Sequence, residues 1–289
     1  MPARLPDVAA PFTDPPSNGT VRGRPATWSH VVVYALGVLT LSVLGGFLMA
    51  ASPDPATSPG ALLFILGPIL MAVGLRTVGG DGWADAGLRL GRERGWYVFA
   101  ALLFPVLYVV AMMLGALTGD VTQPAGGAQR FVVLLATGLV ARVLFAVFEE
   151  WGWRGYLEPR LAALGVAPLR RHLAVGALWA VWHVPYIVAF GDGYTEIDLW
   201  LQLPLFALGC LGMAVIWGVA RDRTGSVWPA VLGHGLANAF AWPLLDDDVV
   251  TIDHPLLHAA RPEGLVVLPL LVVSAVVVHR RWGRAVEAW

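Results

Sequence analysis

Charge is what this sequence has least of. Only 13% of its 289 residues are Asp, Glu, Lys or Arg, while 57% are apolar. A soluble domain carries roughly a quarter charged residues, so an ordinary soluble fold is disfavoured, and a mean hydropathy of +0.67 agrees. Lysine is absent altogether: all 19 basic residues are arginine, and no function is read from that. A formal net charge of −1 with no basic tract removes the electrostatic basis for a nucleic-acid partner. The single cysteine, Cys210, lies in an apolar run, which excludes an intrachain disulfide and a cysteine metal cluster. A P-loop, a GxGxxG, an HExxH and internal repeats are also missing. Length alone would suggest about two soluble domains; the hydropathy favours one polytopic membrane domain instead.

Residues 1–26 hold Pro2, Pro6, Pro11, Pro15, Pro16 and Pro25 and no apolar h-region. They read as a flexible, proline-rich cytoplasmic tail rather than a signal peptide. The remainder, 27–289, reads as the membrane domain. A span needs roughly 17 to 25 apolar residues, and eight are expected, at about 30–51, 60–76, 96–117, 129–149, 172–190, 199–220, 226–245 and 263–280. The second and eighth are short. Gly67-Pro68 and Pro204 are expected to kink their helices rather than end them. Arginine placement tests the count independently. All but three arginines fall in the tail, the second, fourth and sixth connections, and the C-terminus. Arg130 and Arg261 fall on the other side, and Arg142 lies within a span. That bias puts both termini in the cytoplasm of a multi-pass protein of the cell membrane. The connection Gly155–Arg171 reads as a short amphipathic helix at the cytoplasmic interface or a solvated connector.

Polar groups inside a bilayer cost several kcal/mol and tend to mark function. Glu149 and Glu150 end the fourth span and are followed by Arg154. His183 is in the fifth, and His234 and Asn238 are in the seventh. At 100° per residue, Glu150 and Arg154 are i,i+4 neighbours suited to an ion pair. Glu150 is therefore assigned a bracing role and Glu149, about 100° away, the chemistry. His234 and Asn238, also i,i+4, can aim at one point. Trp179, one turn before His183, can wall the site and orient the imidazole. Pro185 leaves the carbonyl of Val181 without its helical donor, an acceptor able to fix the His183 tautomer or take a substrate hydrogen bond. Glu149 sits at the cytoplasmic end of its span, His234 about 12 Å in and His183 about 17 Å in at 1.5 Å per residue. They can meet only in a wet pocket in the cytoplasmic half of the membrane.

Such a set suits peptide hydrolysis. A carboxylate deprotonates water, a histidine shares the proton or positions the water, and a His/Asn pair donates to the oxyanion. Alternatively His183, His234 and Glu149 hold Zn²⁺, with water in the fourth place. Spacing leaves both schemes open, although asparagine is a poor zinc ligand and Asn238 suits the oxyanion under either. A transporter or proton relay using the same buried Glu and His residues is the alternative from another class; it should show two related halves, and none are visible. The run Asp246-Asp247-Asp248, with Asp253 and His254, lies on the outer face, where acidic residues are tolerated.

The motifs carry a resemblance. Glu149-Glu150-Trp-Gly-Trp-Arg154 resembles the EExxxR motif of the CPBP intramembrane proteases, the group containing the type II CAAX prenyl endopeptidases. Trp179-Ala-Val-Trp-His183 is similar to their second motif and His234-Gly-Leu-Ala-Asn238 to their HxxxN/B motif, in family order and across about residues 130–245. The resemblance implies an all-α helical membrane peptidase, generally called a metalloprotease, with Glu149, His183, His234 and Asn238 at catalytic positions. Glu150 and Arg154 complete the first motif. It also implies a substrate that is a membrane-associated peptide or a CAAX-like protein tail. Some members are linked instead to bacteriocin maturation or self-immunity. Two departures stand out. The second motif usually opens with Phe, where this chain has Trp179, and Arg142 stands where the family is generally apolar. Arg142 shares the face of Glu149 about 10 Å deeper. It either reaches a carbonyl or the cavity, or binds a carboxylate of the substrate.

Overall fold

The computed structural model describes residues 25–191 and 198–283; the expected tail, apart from its last two residues, lies outside them. The described chain is a polytopic bundle of helices. Helices α1 (Trp28–Ala50), α2 (Pro59–Thr77) and α3 (Gly95–Thr118) lead to α4 (Gly127–Gly152), which runs through a π-helical turn (Trp153–Leu157) into α5 (Glu158–Ala163). Then follow α6 (Pro168–Phe190), α7 (Leu199–Thr224), α8 (Trp228–Ala241), the single turn α9 (Pro255–His258) and α10 (Val267–Val278). The sheet is vestigial. β1 (Val121–Thr122) pairs antiparallel with β2 (Thr251–Ile252), tying the α3–α4 turn to the segment after α8.

Among the described residues, six helices are long and apolar enough to cross a membrane: α1, α2, α3, the continuous α4–α5, α6 and α7. The seventh and eighth expected spans are helical where expected but short, 14 residues in α8 and 12 in α10. At 1.5 Å per residue these reach about 21 and 18 Å, against a hydrocarbon core of about 30 Å. Pro68, Pro105, Pro185 and Pro204 all sit inside helices that continue past them.

Apolar side chains face outward as well as inward. Leu36 and Phe47 of α1, Leu102 and Met113 of α3, and Val133 and Val140 of α4 are exposed, the pattern of a lipid-facing surface. The interior is built on aromatics, with Trp153, Trp179, Trp182, Trp217, Tyr34 and Tyr156 fully buried. Helix α4 packs on α2 and α8, and α6 on α1 and α7. Two glycines set the closest approaches. A Cβ on Gly152 would come within 2.5 Å of Pro68 Cβ and Tyr34 Oη, and one on Gly235 within 2.9 Å of Val143 Cα. Both distances are shorter than any carbon contact, so α4 meets α1 and α2 at Gly152 and α8 at Gly235. Helix α4 is thereby held against α1 and α2 at its acidic end and against α8 further along.

The segment 155–171 holds a short helix, α5, as one of its two expected readings has it, but with its charges on the buried side. Gly155, Tyr156, Leu157, Glu158, Arg160, Leu161 and Arg171 are buried, while Ala162, Ala163 and Arg170 are exposed. Its charges turn inward because they have partners there. Arg160 pairs with Asp85, and Glu158 with His172 and Arg171.

Candidate active site

Helix α4 delivers its two glutamates fully into the protein. Glu150 Oε2 lies 2.9 Å from Nη1 of Arg154, and Glu150 Oε1 accepts from the same nitrogen at 3.0 Å. The expected brace is therefore present, formed across the start of the π turn. Such wide turns recur at functional sites because the extra residue re-aims side chains. Arg154 Nε and Nη2 make no hydrogen bond among the described residues. The guanidinium instead lies 5.0 Å over the ring of Trp179, whose electron-rich face attracts a desolvated cation.

Helix α6 brings Trp179 and His183. Trp179 Nε1 donates to Glu149 Oε2 at 2.7 Å, inside the range of charge-assisted bonds. His183 Nδ1 lies 2.9 Å from the backbone oxygen of Trp179. A carbonyl only accepts, so the proton is assigned to Nδ1, and Nε2 is left with its lone pair. The Trp179 carbonyl, one turn earlier on the same face, thus fixes the tautomer. The Val181 carbonyl expected to do so belongs to a residue that is 53% exposed on the outer face. Edges of Trp182 and Phe206, at 4.6 and 4.9 Å between ring centres, hold the half-buried His183 in place.

Helix α8 brings His234. It opens at Trp228-Pro229, where proline costs no hydrogen bond in a first turn, and the N–H of Trp228 donates to Ser226 Oγ at 3.2 Å. Beside Gly235, where α8 touches the α4 backbone, His234 Nδ1 reaches Glu150 Oε1 at 2.9 Å. Glu150 therefore orients an imidazole as well as bracing Arg154. The other nitrogen, Nε2, faces Glu149 Oε1 across 3.9 Å. That is too long for a hydrogen bond and short enough for one water about 2.8 Å from each. Asn238 is half-buried one turn on, and its carboxamide has no hydrogen-bond partner among the described residues.

Glu149, Glu150, Arg154, Trp179 and His234 thus form one contact cluster, and His183 joins through Trp179. Arg142 does not. Its guanidinium stacks 4.1 Å over the ring of Trp242. The outer acidic run has a structural use, since Arg130 donates to both oxygens of Asp246 at 3.0 and 2.9 Å and lies 3.3 Å from Asp248. His254 turns to Asp120, at 3.7 Å. Among the described residues, no three His, Cys, Asp or Glu side chains gather in a way that could hold a metal ion. Glu149, His183 and His234 are not a ready three-ligand set as they stand.

A second buried polar layer, invisible in the motifs, lies under the π turn. Tyr156 donates to Asp81 Oδ2 at 2.7 Å, whose other oxygen is 2.8 Å from His30 Nδ1. Arg76 donates to the carbonyl of Gly155, and Arg221 Nε to that of Arg154 at 3.2 Å. These bonds occupy the carbonyls that a π turn leaves exposed, and so fix the backbone carrying Arg154. Composition offered one signal, charged residues in an otherwise apolar chain, but not their partners.

The family model for type II CAAX prenyl endopeptidase Rce1-like proteins matches residues 128–240, the stretch holding every member of the contact cluster. That segment is similar to this family. In the Rce1-like segment α4, α6 and α8 carry the three motifs, while α1, α2 and α3 precede it and α10 follows. CAAX prenyl protease 2 of Methanococcus maripaludis is 27% identical over 143 residues, 47% of this chain and 52% of that protein. The chain spans about half the length of the curated relative it matches.

Proposed function

We propose that this chain is an intramembrane endopeptidase hydrolysing peptide bonds of membrane-associated peptides or CAAX-like protein tails at the cytoplasmic leaflet, with both termini in the cytoplasm. The observation that carries the reading is the pair Glu149 Oε1 and His234 Nε2, facing each other at 3.9 Å while Glu149 Oε2 is held by Trp179, His234 Nδ1 by Glu150 Oε1, and Glu150 pairs with Arg154. Water held there gives a proton to Glu149 as its oxygen adds to the scissile carbonyl carbon. Asn238, whose carboxamide has no hydrogen-bond partner among the described residues, supplies a donor for the resulting oxyanion, and His234 supplies another from Nε2 when its imidazole carries both protons. The C–N bond then breaks, and the proton on Glu149 passes to the leaving nitrogen. His183, protonated on Nδ1, offers Nε2 as an acceptor that orients the water. Zn²⁺, if bound, would need His183, His234 and Glu149 to draw together as its ligands and would supply an activated water.

The test is purified protein in detergent with an internally quenched peptide library, with and without an S-prenylated cysteine near the C-terminus, beside Glu149→Gln. Cleavage by wild type and its loss in the variant support the reading; equal rates, or none in either, overturn it in favour of transport or proton relay. A chelator arm reads zinc dependence.

A further inference from the structure

Trp179 touches four groups of the site. Its N–H holds Glu149 Oε2 at 2.7 Å, its face carries Arg154 at 5.0 Å, its ring centre lies 5.2 Å from that of His234, and its carbonyl holds His183 Nδ1 at 2.9 Å. The backbone contact to His183 would survive any side chain. The indole N–H would not. Phe, the residue that usually opens this motif, would wall the pocket and still receive the cation of Arg154, but it has no donor.

A glutamate carboxylate turns freely about its last torsion, which has broad, roughly two-fold preferences. Unanchored, the oxygens of Glu149 would exchange, and neither would stay aimed at the gap before His234. The N–H of Trp179 removes that freedom. The ring itself is fixed by full burial and by the guanidinium over its face. A cation there draws density from the ring and strengthens the N–H as a donor. We propose that Trp179 is a positioning residue for the reaction, its indole N–H clamping one oxygen of Glu149 so that the other faces His234 and the water between them. This deepens the peptidase reading and rests on it.

The experiment compares wild type with Trp179→Phe, with a protein carrying benzothienylalanine at 179 (sulfur for N–H, ring size kept), and with Glu149→Gln, on the same quenched peptides, with thermal unfolding of each. The expectation is kcat about tenfold lower in both position-179 proteins, the loss of one hydrogen bond to a charged group. KM stays within about twofold, and the sulfur isostere unfolds at the wild-type temperature. If Trp179→Phe does not fold, the isostere decides alone. Wild-type kcat in the isostere overturns the proposal, including the case where Trp179→Phe is slow, because ring bulk rather than the donor would then matter. Full activity in Glu149→Gln, or no cleavage by wild type, overturns the peptidase reading and this inference with it.

Discussion

Replacing Gly235 with alanine adds one methyl group and no charge, yet the structure assigns it a catalytic cost. The new Cβ would lie 2.9 Å from Val143 Cα, a backbone atom that cannot rotate aside. Ordinary carbon contacts begin near 3.4 Å, so α8 must retreat from α4 by about 0.5 Å, the usual response to overpacking. His234 is the neighbouring residue, and its 3.9 Å gap to Glu149 would widen by a similar amount. Overpacking of this size costs about 1–3 kcal/mol in stability. A shift of 1 Å at a reacting centre costs about 10²-fold in rate, so half of that should cost about tenfold in kcat. The control is Gly138→Ala, on the partner helix α4, where an added Cβ meets nothing within 4 Å; alanine there should be neutral or slightly stabilising. Thermal unfolding in detergent and turnover of a quenched peptide measure both quantities. If Gly235→Ala behaves like Gly138→Ala in stability and rate, the close approach does not set the site and the reasoning fails.

Three further outcomes are expected. Arg154→Gln leaves Glu150 buried without its cation, a loss of about 3–5 kcal/mol, seen as a lower unfolding temperature and little surviving cleavage; wild-type stability would contradict it. Arg142→Leu should slow peptides with a free C-terminal carboxylate about tenfold and leave amidated ones unchanged; equal rates for the two would show that the guanidinium only stacks on Trp242. The hydrogen bonds from Arg130 hold the Asp246 carboxyl below the usual carboxylate range. Its folded value is therefore below the unfolded one, near 4. The stabilisation is complete above that pH and fades as pH falls through the folded value. Unfolding temperatures at low salt from pH 7 to 2 should show an acid decline that is smaller in Arg130→Ala, and identical declines would refute it.

What could be read from the chain was what is local. Glu150 and Arg154, and His234 and Asn238, are one helical turn apart, so periodicity alone gave their shared faces, and long apolar runs placed α1, α2, α3, α4, α6 and α7. The exchange of partners between helices was not legible. Glu150 was read as a brace for Arg154, but its second partner, His234, is 84 residues away, and no spacing rule reaches that far. The same holds for Arg171 with Asp222, 51 residues apart, and Tyr156 with Asp81, 75 apart. Long-range pairing of this kind explains why the charges of 155–171 face inward. Charged side chains alternating with leucines look interfacial when their partners lie in other connections. The acceptor that fixes the His183 tautomer is not legible for a related reason. Proline frees an acceptor at Val181, but the helix turns that residue outward, and the nitrogen finds Trp179 instead.

The central claim is that Glu149 and His234 act as one unit across a shared water. A double-mutant cycle measures this directly, with Glu149→Gln, His234→Gln and the pair assayed for kcat on one quenched peptide. Groups serving the same step lose their effect together, so the double variant should be no slower than the slower single one. If the two losses instead multiply, the residues act independently and the account is contradicted.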